Sequence, residues 1–487
     1  SMFYRYLLVN GVVIQPKKNN QSTKYEGAYV KEISPSSFGY IASFDLASLY
    51  PNIMIEWNMS PETIVNGMLS YTPDMFLAEE KIEDPTYSVA ANGARFRKDV
   101  QGSIPALLEE YYSERKAIQA KEAELHKEKE RLVRNGKDTT DLDYELANLF
   151  NQQMSIKILI NSCYGAMGNA YFRHYDLRIA EGITLTGQLV IKWAAKYINR
   201  LMNNLMETVD VDYVCYIDTD SNYINLQPLV DKFKPDSPVD FVDRVCREAI
   251  TPALDKAWKV LSEQHQTYKP RMSMKREVIA DRGIWTSKKR YALRVLDDEG
   301  VRLSKPKLKI MGLEAVKSST PGIVRGWMKE YINLVIDGDQ DEAYVFMEDC
   351  RRKFLELPIE DIACPRSVKD LNKWENNADL GQFVSRTPFH VKGSLTYNRM
   401  IKKNDLDTRH SLIYNGDKIR YLYLITPNPT KNNVIAFPSM LPRELDLEDS
   451  VDYNTQFEKV FEVPMASIIQ AAGWSNSNMD GFEEFFI

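Results

Sequence analysis

The clearest structural signal in the sequence is VDYVCYIDTDSNYINL, residues 211–226. It contains two short apolar runs, 211–217 and 222–226, on either side of an acidic turn. Such runs around a tight polar turn predict a β-hairpin with Asp218 and Asp220 at its tip. Two ionised carboxylates at the end of apolar strands are costly unless a cation compensates them, although an acidic turn bonded to its own backbone is the simpler alternative.

A third carboxylate, Asp45, follows the apolar run 40–44, which predicts another strand. It opens the segment DLASLYPNI, residues 45–53. A carboxylate at the end of a buried strand suits a hard cation, because such ions prefer oxygen ligands. Two carboxylate positions that face each other could hold two Mg²⁺ ions about 4 Å apart, the arrangement that drives in-line displacement at phosphorus.

Between these segments the sequence predicts a pair of long helices. The composition changes to Glu, Lys, Ala, Leu and Gln over 104–134, and a second helical run covers about 139–164. Because the turn at 135–137 is short, we expect an antiparallel helical hairpin that forms a projecting arm. A third amphipathic helix is predicted at 184–206, and the chain beyond about 318 is expected to be a separate, mostly helical lobe.

Three segments give the chain a resemblance to family B (Pol α-like) DNA polymerases. Residues 45–51, DLASLYP, resemble the family's DxxSLYP segment, and residues 216–221, YIDTDS, resemble its YGDTDS segment. Residues 157–165, KILINSCYG, match its KxxxNSxYG helix, and the order and spacing of the three agree. Further segments, among them 25–32 and 305–314, are similar to the replicative polymerases of T-even-type bacteriophages.

The resemblance implies an α+β fold with the architecture of a right-hand polymerase. After a lead-in at 1–25, the palm would comprise 26–101 and 170–304 and contain a mostly antiparallel sheet. A helical hairpin at 102–169 would form the fingers, and 305–487 would form a mainly helical thumb. The thumb would end in a tail that binds a sliding clamp, although a terminus that packs on itself is the alternative. The tail residues expected to enter the clamp are Phe482, Phe485 and Phe486.

The resemblance also implies catalytic and nucleotide-binding roles. Asp45 and Asp220 would ligate two Mg²⁺ ions, for which Mn²⁺ can substitute. Asp218 would be a neighbour or alternate ligand, and the backbone of Leu46 would contribute. Tyr50 would be a steric gate, whose ring leaves no room for a ribose 2′-hydroxyl. The other residues expected to bind the nucleotide are Ser48, Leu49, Arg115, Lys157 and Asn161.

DNA contacts are expected along a basic stretch, 283–317, which in isolation would be interpreted as a solvated face. Its lysines and arginines are interleaved with aromatic residues and carry no base-reading signature, which favours binding to backbone phosphates. Glu277, just before this stretch, is either a further carboxylate near the metals or a member of an ordinary salt bridge. The residues expected to bind DNA are Tyr25, Gly27, Tyr164, Gly165, Lys289, Tyr291, Lys309, Lys317 and Lys392.

Three positions depart from the family pattern. Gln119 stands where a second basic residue is usual, four positions after Arg115, and Lys121 is a candidate to replace it. Ile217 replaces the glycine before the first aspartate of the hairpin, and Asn52 stands where serine is common. These departures put a phosphate contact and the grip on the primer in question, but they remove no expected metal ligand.

The predicted reaction is transfer of dNMP from a dNTP to the 3′-hydroxyl of a primer on template DNA. The setting would be phage replication in the cytoplasm of an infected bacterium. A protein-primed or RNA-synthesising relative is an alternative, which Tyr50 disfavours. A non-catalytic DNA- or clamp-binding scaffold is another, which the intact carboxylates disfavour. No DxE exonuclease segment precedes Tyr25, so we expect no intrinsic proofreading, with any exonuclease either on a separate chain or on a portion removed from this one.

The composition is ordinary for a globular protein. The 487 residues are 44% hydrophobic and 27% charged, with 62 basic and 68 acidic residues. These values exclude a disordered or fibrous chain. No apolar run approaches the roughly 20 residues that span a bilayer, so no membrane partner is expected. The five cysteines are scattered, which favours neither a disulfide framework nor a zinc site.

Overall fold

The computed structural model describes residues 2–11, 16, 19–21, 23–80, 82, 85–374, 383 and 386–474. The tail expected to bind a clamp, with Phe482, Phe485 and Phe486, therefore lies outside the described residues. The chain divides into two compact units. The first unit comprises Ser1–Lys31 and Ala42–Ile279, and the second comprises Glu32–Ile41 and Ala280–Ile487.

Helices and strands occur along the whole described chain, often in runs of one kind. The α-helices are α1 (Met2–Val9), α2 (Leu49–Glu56), α3 (Pro73–Leu77), α4 (Ser103–Arg134), α5 (Thr140–Met167), α6 (Leu177–Met206), α7 (Gln227–Phe233), α8 (Pro238–Val245), α9 (Thr251–Gln264), α10 (Gly322–Asp337), α11 (Gln340–Phe354), α12 (Ile359–Ile362), α13 (Leu371–Trp374), α14 (Phe389–Lys403), α15 (Tyr453–Phe457) and α16 (Val463–Ala472). The strands are β1 (Ser36–Phe38), β2 (Ile41–Leu46), β3 (Ser88–Val89), β4 (Arg95–Phe96), β5 (Val214–Asp218), β6 (Ser221–Asn225), β7 (Met274–Ser287), β8 (Arg290–Asp298), β9 (Val301–Met311), β10 (Cys364–Ser367), β11 (Lys418–Tyr423) and β12 (Val434–Phe437).

The first unit is built around the hairpin predicted from residues 211–226. Strands β5 and β6 pair antiparallel, with Asp218 opposite Ser221, so the predicted hairpin is confirmed. The strand order β5-β6-β2-β7 places the strand that carries Asp45 beside the hairpin. Adjacent strand ends therefore bring carboxylates that are far apart in sequence into one region.

Helix α6 is the central helix of the first unit. It begins earlier than predicted, at Leu177, because the Asp176 carboxylate caps it by accepting a hydrogen bond from the Arg178 amide. It contacts α2, α5, α9 and both hairpin strands. Its Trp193 donates the indole N–H to the carbonyl of Ala257 in α9 at 2.9 Å. Because it is buried on several sides, α6 fixes the sheet and the base of the arm relative to each other.

The predicted helical hairpin is confirmed as α4 and α5, which pack against each other. The buried residues of α4 lie near its start, at Ile104, Pro105, Leu107 and Leu108. Farther out, the two helices are joined at the surface by the ion pairs Lys121–Glu145 and Lys129–Asp143. Exposed ion pairs contribute little stability, so packing at the base determines how the arm is held.

The second unit combines antiparallel strands with helices. Strand β1 pairs antiparallel with β7, and β8 pairs antiparallel with β9. Strands β10, β11 and β12 form a separate antiparallel sheet of three strands. Helices α10 to α16 also belong to this unit, and the buried core includes Tyr331, Phe354, Phe437 and Phe461. Among the residues that the structure describes, no helix has the length and apolar character that crossing a bilayer requires.

The prediction for the chain beyond residue 318 is confirmed for its helices but misses one sheet. The β10–β12 strands are short, and their buried residues do not alternate: β12 is buried throughout, whereas β10 is buried at Cys364 alone. Strict alternation is the main sequence signal for a strand, so this sheet leaves almost none. The mixture of helices and antiparallel pairings agrees with the predicted α+β class. The boundaries of palm, fingers and thumb stay predictions.

Candidate active site

The end of β2, which carries Asp45, and the hairpin turn, which carries Asp220, lie beside each other at one end of the first unit's sheet. The Leu46 amide donates a hydrogen bond to the Asp220 carbonyl at 2.9 Å. The Ser221 hydroxyl donates to Oδ2 of Asp45 at 2.8 Å. These two bonds join the end of β2 to the hairpin turn, so the structure brings Asp45 and Asp220 together.

The hairpin tip has an unusual backbone. Thr219 has a φ of 61°, in the left-handed region, which is rare for a β-branched residue because its side chain crowds the backbone. The Thr219 amide donates to the Tyr29 carbonyl at 3.0 Å, and its hydroxyl donates to Oδ1 of Asp218 at 3.1 Å. The Asp220 amide donates to the Asp218 carbonyl at 2.6 Å. These bonds hold a strained turn between the two aspartates.

The outer edge of the hairpin is covered by the segment that follows Tyr29. Val30 forms an antiparallel bridge with Asp218, and the Lys31 amide donates to the Ile217 carbonyl at 3.0 Å. Ile217 itself is buried. The departure from the usual glycine therefore adds an apolar side chain to the core of the hairpin.

The donor groups at this end of the sheet suit a hard cation. Asp45, Asp218 and Asp220 supply carboxylate oxygens, and Leu46 supplies a backbone carbonyl at the end of its strand. In the described part of the chain, no three His, Cys, Asp or Glu side chains form a group that could hold one ion. Magnesium ions in proteins usually take several of their oxygen ligands from substrate phosphates or water.

Glu277 lies on the neighbouring strand β7. Its carboxylate accepts a hydrogen bond from the Ser43 hydroxyl at 3.4 Å. Because side chains two residues apart share a face of a strand, Ser43 and Asp45 lie on the same face of β2. A role of Glu277 near the metals stays a prediction.

The ring of Tyr50 is enclosed at the start of α2. Its centroid lies 4.5 Å from that of Tyr164. Gly187 of α6 makes room for it, because a Cβ on this glycine would lie 3.0 Å from the Tyr50 ring. Burial, then the negative charge of Asp220 and the neighbouring Tyr25, raise the pKa of Tyr50 to about 12. Its hydroxyl therefore stays protonated at neutral pH. The contribution of Asp220 to this pKa places the ring near that carboxylate.

Tyr25 and Gly27 lie against the same region of the first unit. A Cβ on Gly168, the residue after α5, would lie 2.1 Å from the Tyr25 hydroxyl, so the glycine is required for this approach. Gln188 of α6 donates to the Gly27 carbonyl at 2.7 Å and to Glu26 at 3.0 Å. These contacts anchor the segment to α5 and α6, while its contact with DNA stays a prediction.

Lys157, Asn161 and Gly165 follow one another at one-turn intervals on α5, and all three are exposed. One turn before Lys157, the buried Gln153 accepts two hydrogen bonds from the Arg115 guanidinium of α4, at 3.3 and 3.2 Å. The structure therefore brings Arg115 to the face of α5 that carries Lys157. Gln153 was missed at the sequence level, although its spacing of four residues before Lys157 was a usable signal.

Lys121, the candidate to replace the basic residue that is usual at the position of Gln119, is engaged in an ion pair. Lys121 forms an ion pair with Glu145 across the helical hairpin at 2.6 Å. Its charge is therefore already partly neutralised by the protein. A second phosphate contact at this level of α4 stays without support.

The basic stretch at 283–317 belongs to the second unit and is largely ion-paired. Acidic side chains neutralise much of its charge; most of them lie within the stretch or directly before it, and Glu32 comes from a distant part of the sequence. The pairs are Lys288–Glu32, Arg290–Glu314, Arg294–Asp281, Arg302–Asp297, Lys307–Asp298 and Lys317–Glu314.

The DNA-binding residues expected in this unit differ in their surroundings. Tyr291 is 3% exposed and its ring stacks on Trp285, so little of the side chain is available to a ligand. Lys289 occupies the turn between β7 and β8 with a φ of 60°, and Lys309 is half-buried on β9. Lys392 donates to Oδ1 of Asn433 at 3.0 Å, and burial lowers its pKa. Their contacts with DNA stay predictions.

A polar cavity of about 280 Å³ in the second unit adds two cations that the sequence did not single out. Its lining includes Lys317, Arg366 and Lys459 together with the rings of Tyr421 and Tyr423. Arg366 and Lys459 are far apart in sequence and belong to no motif. The pairing of β10 with β11 brings the strand of Arg366 beside that of the two tyrosines.

Glu56 ends α2 as a deeply buried carboxylate. It is 1% exposed and accepts hydrogen bonds from the amides of Arg271 and Met272 at 2.6 and 2.8 Å. Burial raises the pKa of Glu56 to about 7, although the bonds from these amides and from Thr267 favour the charged form. Glu56 therefore titrates near neutral pH in the folded protein.

The raised pKa of Glu56 predicts a pH-dependent stability. The folded state binds a proton that the unfolded state has lost between pH 4.5 and about 7, so stability falls as the pH rises through this range. In Glu56→Gln this loss is absent. The difference in free energy of unfolding between variant and wild type should therefore shift in favour of the variant by up to about 3 kcal/mol as the pH rises to 8. Thermal unfolding of both proteins at pH 5 to 8 measures the difference.

A variant difference is needed because buried His265 acts in the opposite direction. Burial lowers its pKa to about 4, so its contribution to stability is lost as the pH falls below about 6.5. Glu263→Gln, on the exposed surface of α9, is the matched control. A difference between wild type and Glu56→Gln that does not change with pH would contradict the prediction.

Comparison with known proteins gives consistent matches. The sequence model described as DNA polymerase family B matches residues 2–468. The "DNA-directed DNA polymerase" of Escherichia phage RB69 is 33% identical over 97% of this chain and 58% of its own length. The protein of the same description from Enterobacteria phage T4 is 32% identical over 95% of this chain and 57% of its own length. "DNA polymerase 1" of Pyrococcus abyssi is 30% identical over 69% of this chain. The chain spans less than two thirds of the length of these curated relatives.

Proposed function

The chain belongs to DNA polymerase family B, as its sequence motifs predict, and we propose that it transfers dNMP from a dNTP to the 3′-hydroxyl of a primer paired with a template. The observation that carries this proposal is the junction where the end of β2 meets the hairpin turn. There the Ser221 hydroxyl bonds Asp45 and the Leu46 amide bonds Asp220. Family membership supports the use of a divalent cation at this junction.

Asp45 and Asp220 are the proposed ligands of two Mg²⁺ ions, with Leu46 as a backbone ligand and Asp218 as a neighbour or alternate ligand. When bound, such ions supply charge neutralisation of the triphosphate and a lowered pKa at the primer hydroxyl. The chain's own residues hold the carboxylates in place. Ser221 fixes one oxygen of Asp45, and the Leu46–Asp220 bond holds the end of β2 beside the hairpin turn.

The nucleotide site is proposed to include the start of α2. The amides of Ser48 and Leu49 would approach the triphosphate, because the first amides of a helix lack intrahelical partners and favour anions. Tyr50 would lie under the sugar. Lys157 and Asn161 on α5, with Arg115 anchored by Gln153, would supply further contacts to the phosphates.

The finer architecture and the partners belong to the same proposal. We assign β2, β5 and β6 to the palm, α4 and α5 to the fingers, and 305–487 to the thumb. The proposal also includes two partners: a sliding clamp, on which the C-terminal tail would dock, and a separate exonuclease chain. The setting would be DNA replication inside an infected bacterium.

Primer extension tests the proposed function. Wild-type protein is incubated with a templated DNA hairpin and Mg²⁺, and with either dNTPs or rNTPs. Extension with dNTPs but not rNTPs is the expected result. Tight binding of the duplex without any extension would contradict the proposal and support a DNA-binding scaffold instead.

The polar cavity of the second unit is proposed to receive backbone phosphates of the DNA duplex. Replacing Arg366 or Lys459 by Ala should weaken duplex binding for all sequences alike, because contacts to phosphates carry no base information. Each replacement should also reduce the dependence of log Kd on log salt by about 1. Fluorescence titration of a labelled duplex at several salt concentrations measures both effects.

Lys403→Ala is the matched control for this prediction. Lys403 is exposed at the end of α14 and does not line the cavity. Its replacement should leave the salt dependence unchanged. Equal salt slopes for wild type, Arg366→Ala and Lys459→Ala would contradict the assignment of the cavity.

A further inference from the structure

The turn that follows β2 has a strained backbone next to the proposed nucleotide site. Ser48, the residue before α2, has φ 48° and ψ 58°, in the left-handed region. A residue other than glycine keeps this conformation only where surrounding contacts determine it. The contacts that hold this turn therefore decide where the amides of Ser48 and Leu49 lie.

Both sides of the Ala47 residue are held by specific hydrogen bonds. Its amide donates to the Ser273 carbonyl at 3.2 Å. Its carbonyl accepts from Nδ2 of Asn52 at 2.5 Å. Asn52 is 3% exposed, so water does not compete freely for this bond. The residue before the strained turn is thus fixed on its amide side and on its carbonyl side.

Arg271 determines which way the Asn52 amide group points. Its Nε donates to Oδ1 of Asn52 at 3.2 Å. Because arginine has donors and no acceptor, the Asn52 oxygen must face Arg271, and the NH₂ group is then left for the Ala47 carbonyl. A hydroxyl at position 52 would be too short to make both bonds.

The Arg271 side chain is itself held on two further sides. Its Nη1 donates to Oε1 of Glu109 in α4 at 2.7 Å, and its guanidinium lies 5.2 Å from the ring centroid of Tyr112. The side chains of Arg271 and Glu109 are each 19% exposed, so this ion pair is largely shielded from solvent. The Glu56 carboxylate binds the Arg271 amide at 2.6 Å. Main chain and side chain of Arg271 are therefore both anchored.

We propose that Arg271 and Asn52 are positioning residues for nucleotide incorporation. Together with Ser273 they form a unit that we call the Ala47 clamp. The Ala47 clamp holds the strained turn so that the backbone of Ser48 and Leu49 is placed for the triphosphate, and it connects this turn to the base of α4 through Glu109. The role of the clamp in incorporation rests on the proposed polymerase function, whereas its role in holding the turn does not.

A network that merely stabilises the fold would behave differently. Removing it would lower the melting temperature but would not act on nucleotide use separately from DNA binding. Removal of the Ala47 clamp should instead raise the KM for dNTP and speed the hydrogen exchange of residues 45–52. The Kd for primer–template should stay the same. Misplacement of a reacting or binding group by about 1 Å can cost roughly 100-fold in rate.

The test compares Asn52→Ala, Arg271→Ala, Arg271→Lys and the double alanine variant. We expect kcat/KM for dNTP to fall about 10- to 100-fold in each alanine variant. Amide exchange of residues 45–52 should be faster in the same variants. The double variant should lose little more than either single one, since both act through the same bond to Ala47. Arg271→Lys keeps the charge opposite Glu109 but loses the planar fork, so it should not restore incorporation.

Lys269→Ala is the matched control. Lys269 also pairs with Oε1 of Glu109, at 2.7 Å, but it does not contact Asn52. It should keep wild-type incorporation and exchange. Alanine variants that match Lys269→Ala in both readouts, fully additive losses, or rescue by Arg271→Lys would overturn the proposal. If the wild-type protein extends no primer, the proposed polymerase function is wrong. The role of the clamp in holding the turn is then tested by exchange alone: unchanged amide exchange in folded Arg271→Lys and Asn52→Ala would overturn it.

Discussion

Replacement of Asp220 by Asn is expected to reduce primer extension by about 1,000-fold, the scale of loss when one charge-stabilising group is removed from a preorganised site. The substitution keeps the shape of the side chain but removes one of the two negative charges carried by Asp45 and Asp220. The bond from the Leu46 amide to the Asp220 carbonyl is made by the backbone, so the hairpin should keep its position. Single-turnover extension with saturating dNTP measures the loss.

Asp236→Asn is the matched control, because Asp236 is an exposed aspartate of the first unit that belongs to no proposed site. It should extend primers at the wild-type rate. The Kd for primer–template DNA and the melting temperature should stay close to wild type in Asp220→Asn. Wild-type extension by Asp220→Asn would remove this aspartate from the proposed catalytic group.

Replacement of Tyr50 by Ala is expected to raise the incorporation of rNTPs relative to dNTPs by about 100-fold or more. The ring packs against the ring of Tyr164 on one side and lies close to Gly187 of α6 on another. A ring that cannot move aside excludes a 2′-hydroxyl, whereas an alanine leaves that space open. The ratio of kcat/KM values for matched rNTP and dNTP pairs measures the change.

Tyr50→Phe separates the ring from its hydroxyl. Because the steric argument depends on the ring alone, Tyr50→Phe should discriminate against rNTPs as well as wild type does. Loss of discrimination in Tyr50→Phe, or full discrimination in Tyr50→Ala, would contradict the steric role. Tyr50→Ala should still extend primers with dNTPs.

Features with a strong local pattern could be predicted from the sequence. The hairpin of β5 and β6 follows from two apolar runs around an acidic turn, and the arm follows from a long change in composition. The proximity of Asp45 and Asp220 could be expected, because both lie at strand ends within recognisable motifs. Neighbouring residues carry enough information to specify the hairpin and the arm, whereas the proximity of the two aspartates was implied by the resemblance of their motifs to a known family.

Features that depend on distant partners could not be predicted. Glu32 neutralises Lys288, and the sequence gives no sign that this acid and this base meet. Arg271 has no motif around it, yet it contacts Asn52 and Glu109, which are far away in sequence. Such contacts depend on tertiary packing, so a linear pattern does not indicate them.

The left-handed backbone at Thr219 and Ser48 has a consequence for protein engineering. A search for heat-resistant variants would favour glycine or asparagine at such positions, since relief of an unfavourable φ raises the melting temperature. At these two positions the higher melting temperature would be obtained by loosening turns that hold the proposed metal ligands and nucleotide-binding amides. We expect selection for thermal tolerance alone to enrich substitutions at these positions, and the selected proteins to have a higher melting temperature but slower nucleotide incorporation.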